Sequence, residues 1–331
     1  MIDLPVGAIT GVGSLPHRDA RAAAAFAFAT APDLPAVPTL PRRSPAENMI
    51  AQAVCGISGV DFGQYGSWSV NARRIDPLAP VRTDLDHDAY LGLRMFAEVG
   101  AGRRGPIKWQ FTGPISLGVA LTRAGVPAST AFPVAVRAVR EHVRVIHRFL
   151  DDTMPNCPQV IVLDEPSFPD VMDGGFPLPP DAAIDLLSGA LAAVEQLAVG
   201  GVHCCGTADW AGIIAAGPGL LSLPARPEIL QFAGYLWRFM EHGGRIVWGV
   251  VPTDGPMFLS APRRWRELIE FWDGLLALGG NRELLIHRAL LSPDCGLGMH
   301  SEGVATKVFT LVGDLQARMR GQLPLSASAS R

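Results

Sequence analysis

Short apolar, β-prone runs alternate with amphipathic helical patterns along nearly the whole sequence. Most of these runs are apolar throughout, as strands are when helices cover both faces of a parallel sheet. The runs lie at 8–12, 35–40, 107–112, 159–164, 200–204, 219–223, 245–251 and 284–291. Eight parallel strands close a barrel, and a (β/α)8 barrel with insertions accounts for 331 residues better than an open doubly wound sheet does. The sequence therefore predicts an α/β fold of the (β/α)8 TIM-barrel type.

The predicted organisation is a single barrel domain over residues 1–318. Helical patterns, with apolar residues three and four positions apart, separate the runs. They cover 19–30, 47–55, 86–99, 128–151, 181–197, 208–216, 227–242, 262–278 and 302–318. Residues 56–85, which carry several Gly and aromatic residues, are interpreted as an insertion over one barrel end, with a hairpin as one possible form. Residues 319–331 are of low complexity and are predicted to be a disordered tail.

Composition argues against several classes of partner. Although 48% of the residues are hydrophobic, no run of 18 or more residues has the uninterrupted apolar character of a membrane span. The 28 basic residues are outnumbered by 31 acidic ones and form no stripe, so nucleic acid is not an expected partner. The first residues lack the basic and apolar regions of a secretory signal, and we expect a cytoplasmic protein with reduced thiols.

The cysteines point to a metal site. Five cysteines, an odd number, argue against a disulfide framework. In His203-Cys204-Cys205, strand alternation places His203 and Cys205 on one face and Cys204 on the other. Cys295 follows the eighth predicted strand, and barrel closure brings the ends of the strands together around one axis. His203, Cys205 and Cys295 could hold zinc and leave a fourth position open, unless they are ordinary core residues.

Five short motifs at the ends of predicted strands resemble a known family. The motifs are GVGSLP at 11–16, TGP at 112–114, LDEP at 163–166, HCC at 203–205 and SPDCGLG at 292–298. In order and spacing they resemble the catalytic C-terminal barrel of cobalamin-independent methionine synthase, over roughly residues 8–318. The wider superfamily also contains uroporphyrinogen decarboxylases and corrinoid-linked methyltransferases.

The resemblance implies a zinc-dependent methyltransferase that transfers a methyl group to a thiol. The expected thiol is homocysteine, and its methylation gives methionine. The resemblance places His203, Cys205 and Cys295 on zinc ligands. It implies that the loop of Val12, Gly13 and Ser14 binds the carboxylate of the amino-acid substrate and that Asp164 binds its amino group. On their own, these last two segments also fit an ordinary strand-to-helix turn and an acidic first turn of a helix.

The sequence departs from the family pattern at four points. The family's fourth zinc ligand, a Glu, falls in 221–225, which has no carboxylate, and its second amino-binding acid falls in 40–44, which has Arg42 and Arg43 instead. The proton-donating His aligns with Asp254, which becomes the candidate catalytic acid or else a solvated loop residue. The Trp that packs on folate falls near 119–120, which is Val-Ala.

These departures leave two alternative functions open. One is a diverged or non-catalytic barrel that binds an amino acid or a thiol. The other is an enzyme similar to uroporphyrinogen decarboxylase, which needs no metal and for which Arg42, Arg43 and Asp254 are candidates. The expected partners are a small thiol or amino-acid substrate and, as a candidate methyl source, a methyl-donor protein.

Overall fold

Eight strands lie within the residues that the computed structural model describes, which are 2, 4–63, 66–254 and 260–321. They are β1 (Val60–Phe62), β2 (Trp68–Val70), β3 (Ile107–Thr112), β4 (Gln159–Asp164), β5 (Val199–His203), β6 (Leu220–Pro224), β7 (Arg245–Val251) and β8 (Ala289–Pro293). Strands β3 to β8 form one parallel sheet in chain order. Helices connect them, so the fold is a mixed α/β fold that resembles a TIM barrel.

Two of the predicted strands are reduced to single bridges. Segment 8–12 pairs with β8 at Ile9 and Leu291, and segment 35–40 pairs with β3 at Ala36 and Lys108. A third bridge joins Ser14, just after the first segment, to Thr39 in the second. Pro35 and Pro38 have no N–H to donate to a ladder, which explains why the second segment does not form a longer strand. The prediction of eight full strands is therefore met only in part.

The interior of the curved sheet contains its own small apolar cluster. Side chains alternate along each strand, so Val160 and Val162 face the interior while Ile161 and Leu163 pack against the helices. The buried interior cluster consists of Leu4, Ala8, Leu34, Val160, Val162, Leu220, Val247 and Leu290. This layer closes the interior below the carboxyl ends of the strands, where the functional side chains are found.

The helices begin and end close to the predicted patterns. They are α1 (Ala20–Thr30), α2 (Met49–Val54), α3 (Leu91–Val99), α4 (Pro114–Arg123), α5 (Ala128–Thr153), α6 (Pro180–Glu195), α7 (Trp210–Ala215), α8 (Ala233–Glu241), α9 (Ala261–Ala277), α10 (Arg282–Arg288) and α11 (Glu302–Gly321). Short 3-10 turns precede several of them, including Pro45–Glu47 before α2 and Pro227–Phe232 before α8. Helix α4 was not predicted; the side chain of Glu165 accepts hydrogen bonds from Ile115 N and Ser116 N in its first turn.

The prediction of a strand over 284–291 is wrong for most of its length. Residues up to Arg288 belong to helix α10, and the strand begins at Ala289. Asn281 caps the helix by accepting a hydrogen bond from Leu284 N. A short apolar run such as Leu284–Ile286 is compatible with a buried strand or a buried helix, and the cap decides between them.

The insertion and the tail can be compared with their predictions in part. Within 56–85, β1 and β2 pair antiparallel with Val60 opposite Val70, which is the hairpin considered for this segment. Helix α11 continues past residue 318 to Gly321, and the rest of the predicted tail, 322–331, lies outside the described residues. Within the described part of the chain, no helix combines the length and the apolar character needed to cross a membrane.

Candidate metal centre and adjoining cavity

Strand register places four polar side chains side by side at the carboxyl end of the sheet. Thr112 on β3 is opposite Asp164 on β4, Asp164 is opposite His203 on β5, and His203 is opposite Ser222 on β6. Because residues in register share a face of the sheet, all four side chains belong to the interior face. The carboxyl edge of a parallel barrel is also where its loops form binding sites.

His203, Cys205 and Cys295 come together at this edge. Their ligand atoms all lie within 4.8 Å of one another, and they form the one cluster of at least three His, Cys, Asp or Glu side chains in the described residues that could hold a metal. His203 is buried, and both cysteines are half-buried. Cys204 lies outside this cluster, buried in the apolar core between sheet and helices, and burial raises the pKa of its thiol to about 12. Strand alternation thus separates Cys204 from Cys205, as the sequence predicted.

The hydrogen bonding of His203 suits a metal ligand. Its Nδ1 lies 3.0 Å from the Ser222 hydroxyl, while its Nε2 is buried without a hydrogen-bond partner. When Nδ1 carries the proton and donates it to Ser222 Oγ, Nε2 keeps a free lone pair. A buried nitrogen of this kind beside two cysteine sulfurs is the donor set that zinc prefers. The residues present therefore fit a zinc ion with three protein ligands.

The two cysteines of the cluster affect each other. A hydrogen bond from Cys295, and then the nearby His203 imidazole, lower the pKa of the Cys205 thiol. The same hydrogen bond, together with burial, raises the pKa of Cys295. One of the two sulfurs is therefore readily available as a thiolate, which is the form that binds metals.

A cavity of about 260 Å³ adjoins this cluster. Its walls are mainly apolar, with polar groups from the strand ends and from the loops that follow them. It is lined by Val12, Ser14, Thr39, Pro41, Glu47, Asn48, Met49, Gln52, Gln110, Phe111, Thr112, Asp164, Pro166, His203, Cys205, Cys295, Gly296, Gly298 and Met299. A concave, largely apolar space with a few polar groups is typical of a small-molecule site.

Asp164 offers an unpaired carboxylate oxygen to this region. Its Oδ1 is buried and has no hydrogen-bond partner. Burial raises the pKa of this carboxyl to about 6, and the nearby charges of His203 and Lys108 act in the opposite direction. An unpaired buried oxygen on a cavity wall favours a ligand that donates a hydrogen bond or carries a positive charge.

The predicted carboxylate-binding loop forms another wall. Val12 and Ser14 line the cavity, and the Ser14 hydroxyl accepts a hydrogen bond from Gly298 N at 3.3 Å. Gly13 has a φ of +145°, and a Cβ at this position would lie 1.8 Å from the amide nitrogen of Gln110. This close approach requires glycine, and it fixes the loop against β3.

Glu47 is a second acid on the cavity wall, and no sequence motif indicated it as a site residue. Its carboxylate is buried, accepts a hydrogen bond from Leu40 N at 2.9 Å and pairs with Arg43 at 2.7 Å. Burial raises the pKa of Glu47 to about 7, although Arg43 acts to lower it. The segment 40–44 contains no acid, but the chain turns back after Ser44 and brings Glu47 to the same wall. An acid in the first turn after the second predicted strand was the available signal.

Arg42 and Arg43 are engaged by other groups of the protein. Arg43 pairs with Asp88 as well as with Glu47, and Arg42 donates to the carbonyl of His300. Neither arginine lines the cavity. The positions of these two guanidinium groups therefore do not support a role in binding an anionic ligand.

Comparisons with known proteins relate this chain to others through its fold. No protein-family model and no curated protein sequence matches it. Among solved structures, it is similar to a B12-independent methionine synthase from Shewanella sp. W3-18-1 in complex with selenomethionine. The TM-score is 0.61 and the sequence identity 14%, over 96% of this chain and 98% of that chain. At this identity the likeness shows that the two proteins share a fold.

Asp254, the candidate catalytic acid, lies away from the cavity walls. Its side chain is 71% exposed, and its carboxylate pairs with Arg226 at 2.9 Å. Arg226 also pairs at 2.6 Å with buried Asp294, next to Cys295. The segment 255–259 that follows Asp254 lies outside the described residues.

The end of β6 supplies no fourth ligand. Residues 221–225 include no carboxylate, and Glu228 is exposed in the 3-10 turn Pro227–Phe232, outside the cluster. What β6 does contribute is Ser222, which contacts His203 as described. The described residues therefore offer three ligands and a partner for one of them.

Proposed function

We propose that this protein is a zinc-dependent methyltransferase of the cobalamin-independent methionine synthase family, which methylates the thiol of homocysteine to give methionine. The observation that carries the proposal is the cluster of His203, Cys205 and Cys295 beside a cavity that is lined by two acids, Asp164 and Glu47. The fold shared with a B12-independent methionine synthase supports it.

The metal would be held by His203 through Nε2 and by the two cysteine sulfurs. Bound zinc would supply Lewis acidity that lowers the pKa of a substrate thiol from about 8.5, so that the thiolate is available at neutral pH. Three protein ligands leave one position for this thiol, as in catalytic zinc sites. The contact between Ser222 and His203 holds the imidazole in the orientation that this requires.

The cavity walls would bind the amino-acid part of the substrate. Asp164 and Glu47 are the two acids on the walls, and we assign them to the ammonium group. Val12, Gly13 and Ser14 are assigned to the carboxylate, because the backbone N–H groups of a tight loop and a hydroxyl suit an anion. In this assignment the ammonium group meets two acids, and the carboxylate meets neutral hydrogen-bond donors on a different wall.

The methyl donor is the part of the reaction with least support from the chain. Val119, near the place of the folate-stacking Trp, is buried in α4. The candidate donors are a methylated folate, a corrinoid, another small methylated compound and a methyl-donor protein. Asp254 remains the proposed proton donor to the departing group, and proton donation would require its ion pair with Arg226 to open. We place the enzyme in the cytoplasm, with no nucleic acid or membrane among its partners.

Metal analysis and methyl transfer together test the proposal. The purified protein is expected to contain one zinc per chain and to form methionine from homocysteine with at least one of the four donor classes. Cys205→Ser should lose zinc and activity, whereas Cys204→Ala, at a neighbouring cysteine outside the cluster, should keep both. A protein that neither contains zinc nor binds added zinc would exclude the proposal.

A binding protein without turnover is the second candidate. The missing fourth ligand at 221–225 and the exposed position of Asp254 are the observations that favour it. Stabilisation by homocysteine or methionine, without product from any donor, would support this alternative. A reaction of the uroporphyrinogen decarboxylase type has less support, because Arg42 and Arg43 are engaged elsewhere.

A further inference from the structure

Lys108 is a buried lysine for which the proposed chemistry has no assigned role. It lies on β3, two residues before Gln110, and its side chain is 1% exposed. An ammonium group out of contact with water is costly unless hydrogen bonds and opposite charge compensate for the lost hydration. The contacts of Lys108 therefore indicate what it stabilises.

Its hydrogen bonds tie the start of the chain to β3. Lys108 Nζ donates to the carbonyl of Val12 at 2.8 Å and to Gln110 Oε1 at 3.3 Å. The other end of the Gln110 amide donates to the carbonyl of Val37 at 3.1 Å. The amide is thus held at both ends, and it is the group against which Gly13 packs.

These contacts occur where the sheet is weakest in backbone hydrogen bonds. Segment 8–12 forms only an isolated bridge with β8, segment 35–40 forms one with β3, and a further bridge joins Ser14 to Thr39. Lys108 and Gln110 add side-chain hydrogen bonds to both segments at the base of the Val12–Ser14 loop. That loop in turn accepts a hydrogen bond from Gly298 N, in the segment after Cys295.

Lys108 also supplies positive charge near Asp164. Lys108 acts against the effect of burial on the pKa of Asp164, and Asp164 does the same for Lys108. Burial lowers the pKa of Lys108 to about 8, so the group is mainly protonated at neutral pH. The two side chains therefore favour each other's charged forms.

We propose that Lys108 is a positioning residue of the amino-acid site, which fixes the Val12–Ser14 loop for the substrate carboxylate through its hydrogen bonds to Val12 and Gln110. The inference rests on the proposed function, because it assumes an amino-acid ligand. It assigns Lys108 no contact with the metal ligands, so the thiol end of the site is independent of it.

The binding of two thiols by two lysine variants tests this assignment. Lys108→Met removes the charge, and Lys307→Met is the matched control because Lys307 is the other lysine of the chain and is exposed on α11. Calorimetry would measure how each zinc-loaded protein binds homocysteine and 2-mercaptoethanol, a thiol without ammonium or carboxylate. Lys108→Met should weaken homocysteine binding by about tenfold or more while leaving 2-mercaptoethanol binding and zinc content unchanged. Lys307→Met should match the wild type in all three measurements.

The other outcomes overturn the assignment. They are equal losses for both thiols, unchanged homocysteine binding, or loss of zinc in Lys108→Met. If that variant does not fold, Lys108→Gln replaces it, and failure of both variants to fold would make Lys108 a residue of stability alone. Failure of the proposed function is recognised separately, since the wild type itself would then bind no zinc or would not prefer homocysteine.

Discussion

Ser222 determines how His203 presents its imidazole ring. The two residues are partners in the register of β5 and β6, and the hydroxyl lies 3.0 Å from Nδ1. The orientation of the ring thus follows from the pairing of two buried strands and does not depend on a mobile loop. Partners of this kind commonly hold ligand histidines in metal sites, and their loss weakens the metal without removing a ligand.

We expect Ser222→Ala to lower the affinity for zinc by about 10- to 100-fold while the fold is kept. The physical reason is that Nδ1 loses its hydrogen bond and the imidazole becomes free to rotate or to change tautomer. Competition with a chromophoric chelator would measure the affinity. Ser292→Ala is the control, because Ser292 is also buried at a strand end but bonds to the carbonyl of Pro293. Equal zinc affinities in the two variants would contradict the role given to Ser222.

Glu47→Gln should weaken methionine binding by roughly ten- to a hundredfold, the range for loss of a charged hydrogen bond of about 1.5–3 kcal/mol. Glutamine can still accept a hydrogen bond from Leu40 N but carries no charge for the ammonium group. Calorimetry on the zinc-loaded protein would measure the binding. Asp88→Asn removes the other acid that pairs with Arg43, outside the cavity, and should leave binding unchanged. A similar loss in both variants would mean that Arg43, and not Glu47, determines the affinity.

The sequence predicts some strands and helices more accurately than others, and the differences have physical causes. Strands β3 and β4 match the predicted runs residue for residue, since each is a continuous apolar or β-prone run. Segment 35–40 does not form a full strand, because its prolines cannot donate to a ladder, and 284–288 is helical because Asn281 caps it. A local sequence pattern indicates strand propensity, but it does not show whether a neighbouring strand is available for pairing.

The candidate site was predictable in the part that depends on strand alternation. His203 and Cys205 share a face because they are two residues apart, and Cys295 joins them because its strand ends at the same edge. Glu47 could not be placed in this way. It reaches the cavity through a turn after segment 35–40, and the geometry of that turn depends on the buried pair with Arg43.

Gly13→Ala should destabilise the protein and abolish amino-acid binding, while zinc binding is kept. A Cβ at Gly13 would meet the Gln110 amide at 1.8 Å, so the Val12–Ser14 loop would have to move away from β3. Gly102→Ala is the matched control, because Gly102 also has a positive φ, of +80°, but no atom lies within 4 Å of an added Cβ. That control should cost about 1–2 kcal/mol of stability and leave binding intact. Denaturant unfolding and calorimetry would measure both quantities, and retained methionine binding in Gly13→Ala would contradict the role of the loop.

Across the whole molecule, buried ionisable groups make stability depend on pH in opposing directions. Burial raises the pKa of Glu47 and of Glu165 to about 7, so their contribution to stability is greatest at low pH and falls as pH rises toward 7. His142 on α5 acts in the opposite direction, because burial lowers the pKa of its imidazole to about 4. Replacing one group at a time therefore shows the contribution of that group to the pH dependence of stability more clearly than the wild-type curve does.

His142→Gln should make the protein less sensitive to acid. In the unfolded chain histidine gains its proton near pH 6.5, whereas folded His142 does so only near pH 4, so the unfolded state binds more protons between these values. The contribution of neutral His142 to the free energy of unfolding is fully present above about pH 6.5. It is lost as pH falls toward 4, by up to about 1.4 kcal/mol per pH unit. Urea unfolding at pH 7, 5.5 and 4.5 should show a shallower decline for His142→Gln than for the wild type. Thr83→Val removes the hydroxyl that lies 2.9 Å from Nδ1 but keeps the titrating ring, and it should retain the steep decline. Parallel curves for His142→Gln and the wild type would show that His142 is not the group that makes the fold sensitive to acid.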